Sequence, residues 1–145
     1  VRSTGGAPTA WSTAPELAST GFLGANGLKI HKGEVWATNL DKGTVLRIPI
    51  RPDDRAGRVR TEATGLQGID DFTFTGRGDQ LLAALNGTSQ VALVQPDGRH
   101  SLVLTPADGL QNPTSIAVRG DTVHVTSAAY LTAEDPNLLR VQLKR

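Results

Sequence analysis

A chain of 145 residues, 38% hydrophobic and 20% charged, has the length and composition of one globular unit with a single core. Its net charge of +1, from 15 basic residues scattered among 14 acids, provides no basic stripe to follow a phosphate backbone, so nucleic acid is not an expected partner. Without cysteine there are no disulfides and no thiolate zinc site, and apolar runs such as Leu81 to Leu85 are far too short for a membrane span or a signal-peptide core. The chain opens on Val1 and holds no methionine, as expected of a piece of a longer product or of a GTG start written as valine.

Taken in chain order, the elements repeat at one spacing. Gly21, Gly65 and Gly109 lie 44 residues apart, as do Leu28, Phe72 and Ile116, and Ile30, Phe74 and Val118. A period of that size, built of short apolar alternations, predicts an all-β chain of four-stranded propeller blades. Residues 1–20 are expected to carry an outer strand of an adjoining blade around Trp11 to Ser19, made short and irregular by Pro8 and Pro15. Residues 21–64 form the first blade, with strands at Leu28 to Ile30, Val35 to Thr38, Val45 to Ile50 and Arg58 to Thr64. Residues 65–108 repeat the plan at Asp71 to Phe74, Gln80 to Leu85, Gln90 to Val94 and Ser101 to Thr105. Residues 109–145 give Ser115 to Val118, Thr122 to Thr126 and Leu138 to Leu143, then stop without an outer strand. Three blades do not close a ring, so something beyond one copy of this chain is expected to complete it.

Antiparallel order within a blade puts the loops entering the innermost strands and those joining the second and third strands on one face. On that face Asn26, Asp70 and Thr114 recur at the same spacing, each just ahead of an innermost strand, and converge at the mouth of the central channel. An acid with neutral oxygens in a ring suits a hard divalent cation such as calcium. Asn26-Gly27 also reads as a turn dipeptide, and Asp70-Asp71 as a solvated loop. Asn86-Gly87-Thr88 has the form of a glycosylation sequon at a place where a turn is expected. His31, His100 and His124 follow no metal-ligand spacing. Leu131 to Asn137, with Tyr130 at its base, is a longer insertion on the same face, read as a lid or a tolerated loop.

The runs Gly24-Ala25-Asn26-Gly27-Leu28, Val35 to Asn39 and Gly43 to Ile48, then Ile69-Asp70-Asp71-Phe72, Leu82 to Asn86, Val91 to Gly98 and Asn112 to Ile116, resemble in succession the blades of the senescence marker protein, gluconolactonase and luciferin-regenerating enzyme family. The resemblance covers residues 21–143 and implies half of a six-bladed propeller whose channel holds a divalent metal, usually calcium, and opens sugar lactones. It makes Asn26 and Asp70 metal ligands and Asp70 the general base. The family pattern has glycine where this chain has Asp71. A glutamate and a second asparagine of the family site have no counterpart in residues 1–20. Asp71, Thr114, Asn39, Asn86, Ser127 and Tyr130 are the candidates for contacting a small-molecule substrate.

Three readings follow from these residues: a metal-dependent lactone hydrolase, a non-catalytic ligand- or protein-binding propeller module, and a purely structural half-ring. Members of the family occur inside cells and as exported proteins, and export is favoured here. The strand count predicts a homodimer that completes the ring, or continuation into a longer chain, with the exposed edge at Leu138 to Leu143 pairing with an N-terminal strand.

Overall fold

The computed structural model describes residues 6–143; residues 1–5, part of the expected N-terminal outer strand, lie outside the described residues. Among the described residues, eleven strands are arranged in three antiparallel sheets. The first blade is β1 (Ala25–His31), β2 (Glu34–Asn39), β3 (Thr44–Pro49) and β4 (Arg60–Ala63) in sequential order. The second is β5 (Ile69–Phe74), β6 (Leu81–Leu85), β7 (Gln90–Val94) and β8 (His100–Leu104). In the third, β9 (Pro113–Arg119), β10 (Thr122–Ser127) and β11 (Asn137–Gln142) leave β11 at the outer edge. The strands fall where the alternations place them, with ends shifted by up to three residues, the start of β1 most. The innermost strands stand side by side, β1 next to β5 and β5 next to β9.

The blades pack face to face, and strand alternation decides which residue meets which neighbour. Trp36, Val45 and Ala63 of the first blade share a cluster with Phe72, Leu81, Ala83, Leu85, Ala92 and Val94 of the second. The opposite face of the second blade, through Leu82, Ala84 and Val91, joins Ile116, Val123 and Val125 of the third. This double coverage explains why β6 reads Leu-Leu-Ala-Ala-Leu and is buried at every position: a strand with a blade on both sides has no polar face.

The N-terminal stretch departs from expectation. Residues 11–19 form no strand; they hold a one-turn 3-10 helix at Pro15–Leu17. A strand needs a ladder partner, and none of the described strands pairs with this stretch, while Pro15 opens the helical turn. The segment nevertheless packs, with Ala14 and Leu17 against Leu46, Ile48 and Val59 on the free face of the first blade. Asn39 and Asp41 tie it down. The Asn39 amide donates to the carbonyls of Glu16 and Ala18, both at 2.9 Å. The Asp41 carboxylate accepts from the Ser19 hydroxyl and from the backbone N–H groups of Thr20, Gly21, Phe22 and Leu23. These donors, the Leu23 N–H foremost, hold the Asp41 carboxyl well below the usual carboxylate range.

Candidate functional site

Asn26, Asp70 and Thr114 are the second residues of β1, β5 and β9. Each lies at an irregularity in the ladder. In β5 the pairing steps from Ile69↔Leu85 to Asp71↔Ala84 and passes over Asp70; in β9 it steps from Pro113↔Ser127 to Ser115↔Thr126 and passes over Thr114; in β1 it passes over Asn26 and Gly27. A bulge re-aims the side chain it carries, so the repeat that spaces these residues also turns each of them at the same rim. The turn reading of Asn26-Gly27 does not hold, because both residues belong to β1.

Asp70 is the centre of the group. The Asn26 amide donates to its Oδ1 at 2.6 Å, and the Asn86 amide approaches Oδ2 at 3.4 Å. Partial burial pushes the carboxyl above its ordinary value, the negative charge of Asp71 adds to that, and the hydrogen bond from Asn26 opposes it. Beneath it, the Thr38 hydroxyl accepts from the Gly27 N–H at 2.8 Å and donates to the Asp70 carbonyl at 3.2 Å, lacing β1 to β5.

Asn86 is buried in the one-turn helix Asn86–Thr88 that joins β6 and β7. Its amide also reaches the Pro113 carbonyl at 3.3 Å, and its Oδ1 accepts from the Tyr130 hydroxyl. That orientation turns the side chain toward the channel mouth and away from the surface a glycan would need. Asn112, also buried, donates to the Asn86 carbonyl at 3.2 Å and accepts from the Leu131 N–H at 3.2 Å, so the insertion that begins at Tyr130 is anchored to this rim at its base.

Asp71 lies one step deeper. Lys29 contacts it at 2.6 Å, the Ser115 hydroxyl donates to it at 2.9 Å, and the Lys29 ammonium also stands 5.5 Å from the centre of the Phe72 ring. The Asp71 carboxylate, on β5, therefore bridges all three innermost strands. Thr114 meets the Thr126 hydroxyl at 3.3 Å.

The structure draws the group tighter than the sequence does. Asn39 is fully buried, its amide tethers the N-terminal segment and its Oδ1 accepts from the Lys42 N–H, so it has a holding role instead of a substrate-facing one. Ser127 is buried and accepts from the Gln111 N–H at 3.2 Å, which places it under the loop before β9. Conversely, Lys29, Ser115 and Asn112 join the rim without having been singled out. Ser115 carried a signal, since Gly27, Asp71 and Ser115 share the 44-residue spacing. Lys29 carried one too, as the polar alternate between Leu28 and Ile30 on an innermost strand.

No protein-family model matches the sequence, and comparison with curated proteins finds no match. Solved structures do match. A luciferin-regenerating enzyme superposes with a TM-score of 0.62 at 19% identity, over 81% of this chain and 44% of that one. A chain of a nidogen/laminin complex gives 0.61 at 20% identity, over 88% and 46%. A Bacteroides uniformis protein described as a candidate 6-phosphogluconolactonase gives 0.52 at 15% identity, over 83% and 41%. These are β-propellers, and the likeness establishes the β-propeller fold of this chain. The chain spans less than half the length of these structures.

Proposed function

We propose that the channel mouth hydrolyses a small sugar-type lactone, with Asp70 as general base. The observation that carries this reading is the setting of Asp70: a partly buried carboxylate, made more basic by that burial, standing at a bulge of the middle innermost strand and held by the amides of Asn26 and Asn86. Ionised, it takes a proton from a water whose oxygen attacks the lactone carbonyl carbon. The ring C–O bond breaks, and the proton passes to the departing alkoxide, leaving a hydroxy acid. Asn26 and Asn86 keep the carboxylate pointed at that water, while the Thr114 and Tyr130 hydroxyls and the paired Asp71 and Lys29 line the space for the sugar's own hydroxyls.

The donor types suit a hard cation, and Asp70 and Asn26 would hold it. Calcium takes about six to eight oxygens, and among the described residues no three His, Cys, Asp or Glu side chains gather, so one chain supplies part of a coordination shell. Bound there, a divalent cation supplies Lewis-acid polarisation of the carbonyl.

Gluconolactone hydrolysis followed by pH-stat tests the reading. Asp70→Asn keeps the shape but cannot take the proton, and the rate is expected to fall by about 100-fold or more. In the wild type the rate should rise with pH along a limb displaced upward from the ordinary aspartate value, as burial of Asp70 requires. Undiminished turnover in Asp70→Asn refutes the assignment. Calorimetry with calcium is expected to give binding of about millimolar strength that Asp70→Ala abolishes.

One observation favours a second reading, a loop face that binds a ligand or protein. Phe22, Tyr130 and Leu131, on the loops of this face, are 79%, 60% and 67% exposed. Absence of lactone hydrolysis in a protein that still folds would leave that reading standing.

A further inference from the structure

Three side-chain hydrogen bonds at the channel mouth each span one repeat of 44 residues: Asn26 to Asp70, Ser115 to Asp71, and Tyr130 to Asn86. The first two join innermost strands. The third joins the loops that follow the second strands, Asn86 after β6 and Tyr130 after β10.

Asn86 is 3% exposed, and its backbone is fixed from two sides. Its N–H donates to the Gly68 carbonyl at 2.8 Å and its carbonyl accepts from the Asn112 amide at 3.2 Å. That leaves only the side-chain amide to choose an orientation, and a buried amide must satisfy both of its ends. Its nitrogen end faces two acceptors, Asp70 Oδ2 at 3.4 Å and the Pro113 carbonyl at 3.3 Å. Among the described residues, the Tyr130 hydroxyl alone donates to its oxygen end. Tyr130 is therefore the opposing anchor that keeps the amide shared between Asp70 and Pro113, and by polarising the amide it makes the nitrogen a better donor to both.

The placement of Tyr130 is itself built. Ala129, just before it, is buried and stands in a left-handed backbone at φ 52°, a conformation that a residue with a Cβ adopts only when its surroundings enforce it. The N–H groups of Ala128 and Ala129 are held by the carbonyls of Asn112 and Gln111, and on the other side the Leu131 N–H is held by the Asn112 side chain. The ring that this arrangement presents is 60% exposed. Core packing does not account for the strained turn; the bond from the hydroxyl to Asn86 does.

We infer that Tyr130 is a positioning residue for Asp70, acting through the Asn86 amide. A carboxylate held at one oxygen swivels about its Cβ–Cγ bond, and one held at both does not. Asp70 is held at Oδ1 by Asn26 of the first blade and at Oδ2 by Asn86 of the second, which Tyr130 of the third holds in turn. The plane of the carboxylate thus depends on all three blades, and that plane decides whether its lone pair meets the attacking water. The consequence for rate rests on Asp70 being the general base; the chain of hydrogen bonds does not.

Tyr130→Phe removes the hydroxyl and keeps the exposed ring. With gluconolactone in the pH-stat, kcat is expected to fall about tenfold while KM stays within about twofold. In an Asn86→Ala background the same substitution should have no further effect, because the intermediary is gone; Asn86→Ser takes its place if circular dichroism shows that the alanine variant does not fold. Where the wild type turns over and Asp70→Asn does not, an unchanged kcat in Tyr130→Phe overturns this inference alone. So does a raised KM with kcat intact, which is the mark of a hydroxyl that only binds substrate, or a full loss that persists in the Asn86→Ala background. Where the wild type does not hydrolyse the lactone, Asp70 is not its base, and NMR of the substrate-free protein decides whether the positioning exists. The Asn86 side-chain amide and the Asp70 carboxyl resonances are both expected to shift in Tyr130→Phe, and an unmoved Asp70 carboxyl overturns the inference whatever the activity.

Discussion

Gly27→Ala tests how the site is built, because two effects of known size oppose each other there. Gly27 lies in β1 without a left-handed backbone, so alanine meets no conformational penalty at that residue. Loss of freedom in the unfolded chain would by itself stabilise the variant by about 0.4–1 kcal/mol. The added Cβ, however, would stand 2.8 Å from the Asp70 carbonyl oxygen, 3.0 Å from the Asp71 Cα and 3.1 Å from the Thr38 hydroxyl, where ordinary contact begins at 3.4 Å. Two of those three atoms are backbone and the third belongs to a β-branched side chain, so none moves aside cheaply. β1 and β5 must part by about half an ångström, an overpacking cost of about 1–3 kcal/mol. The steric cost wins by about 1–2 kcal/mol, equivalent to a fall in melting temperature of about 2–8 °C for a domain of this size. Urea unfolding followed by the fluorescence of buried Trp36 measures it. Gly21→Ala is the control, since nothing lies within 4 Å of its added Cβ and its backbone is not left-handed; it should be neutral or slightly stabilising. A Gly27→Ala protein as stable as wild type would refute the close approach of β1 to β5. Because the displaced atoms include the backbone of Asp70, hydrolysis should fall in the same variant.

Two further outcomes are expected. Asp79 contacts Lys32 at 2.5 Å and His31 at 2.9 Å across the first seam, and the hydrogen bond from Lys32, with that from His31, lowers its carboxyl below the ordinary 3.8. A lowered carboxylate contributes stability above its unfolded value and loses it as pH falls through its folded one. Asp79→Asn should therefore cost up to about 1 kcal/mol near neutrality, and the gap to wild type should close as pH is taken below 3.8; a gap that persists in acid would mean that packing, not the ion pair, is being lost. For Asp41→Ala, hydrogen exchange should accelerate at the amides of Thr20, Gly21, Phe22 and Leu23, which the carboxylate caps, while the amides of β6 keep their protection. Unchanged exchange at those four amides would show that the N-terminal segment is held by its apolar contacts alone.

What could be read from the residue order was whatever follows from period and alternation. The 44-residue spacing gave the blades, the apolar alternates gave their faces, and the recurrence of Asn26, Asp70 and Thr114 put three polar side chains on one rim. Each of these is a local property repeated, and repetition makes it visible in one dimension. Other features depended on which surfaces meet. Whether residues 11–19 form a strand depends on a ladder partner as well as on their own propensity; no described strand pairs with them, and Pro15–Leu17 form one 3-10 turn, with Ala14 and Leu17 against Leu46 and Ile48. Asn39 and Asn86 both stand at the end of a second strand, Asn39 as the last residue of β2 and Asn86 just after β6. They part company because the first faces the N-terminal segment and the second faces Asp70 and Tyr130. The bulges that aim Asn26, Asp70 and Thr114 leave no mark in composition, and the pairing of Lys29 with Asp71 joins residues 42 apart in sequence. Hydrogen-bond partners and burial are relations between segments, so only the packing of one blade on the next decides which polar side chains are used up in holding the fold and which remain at the mouth of the channel.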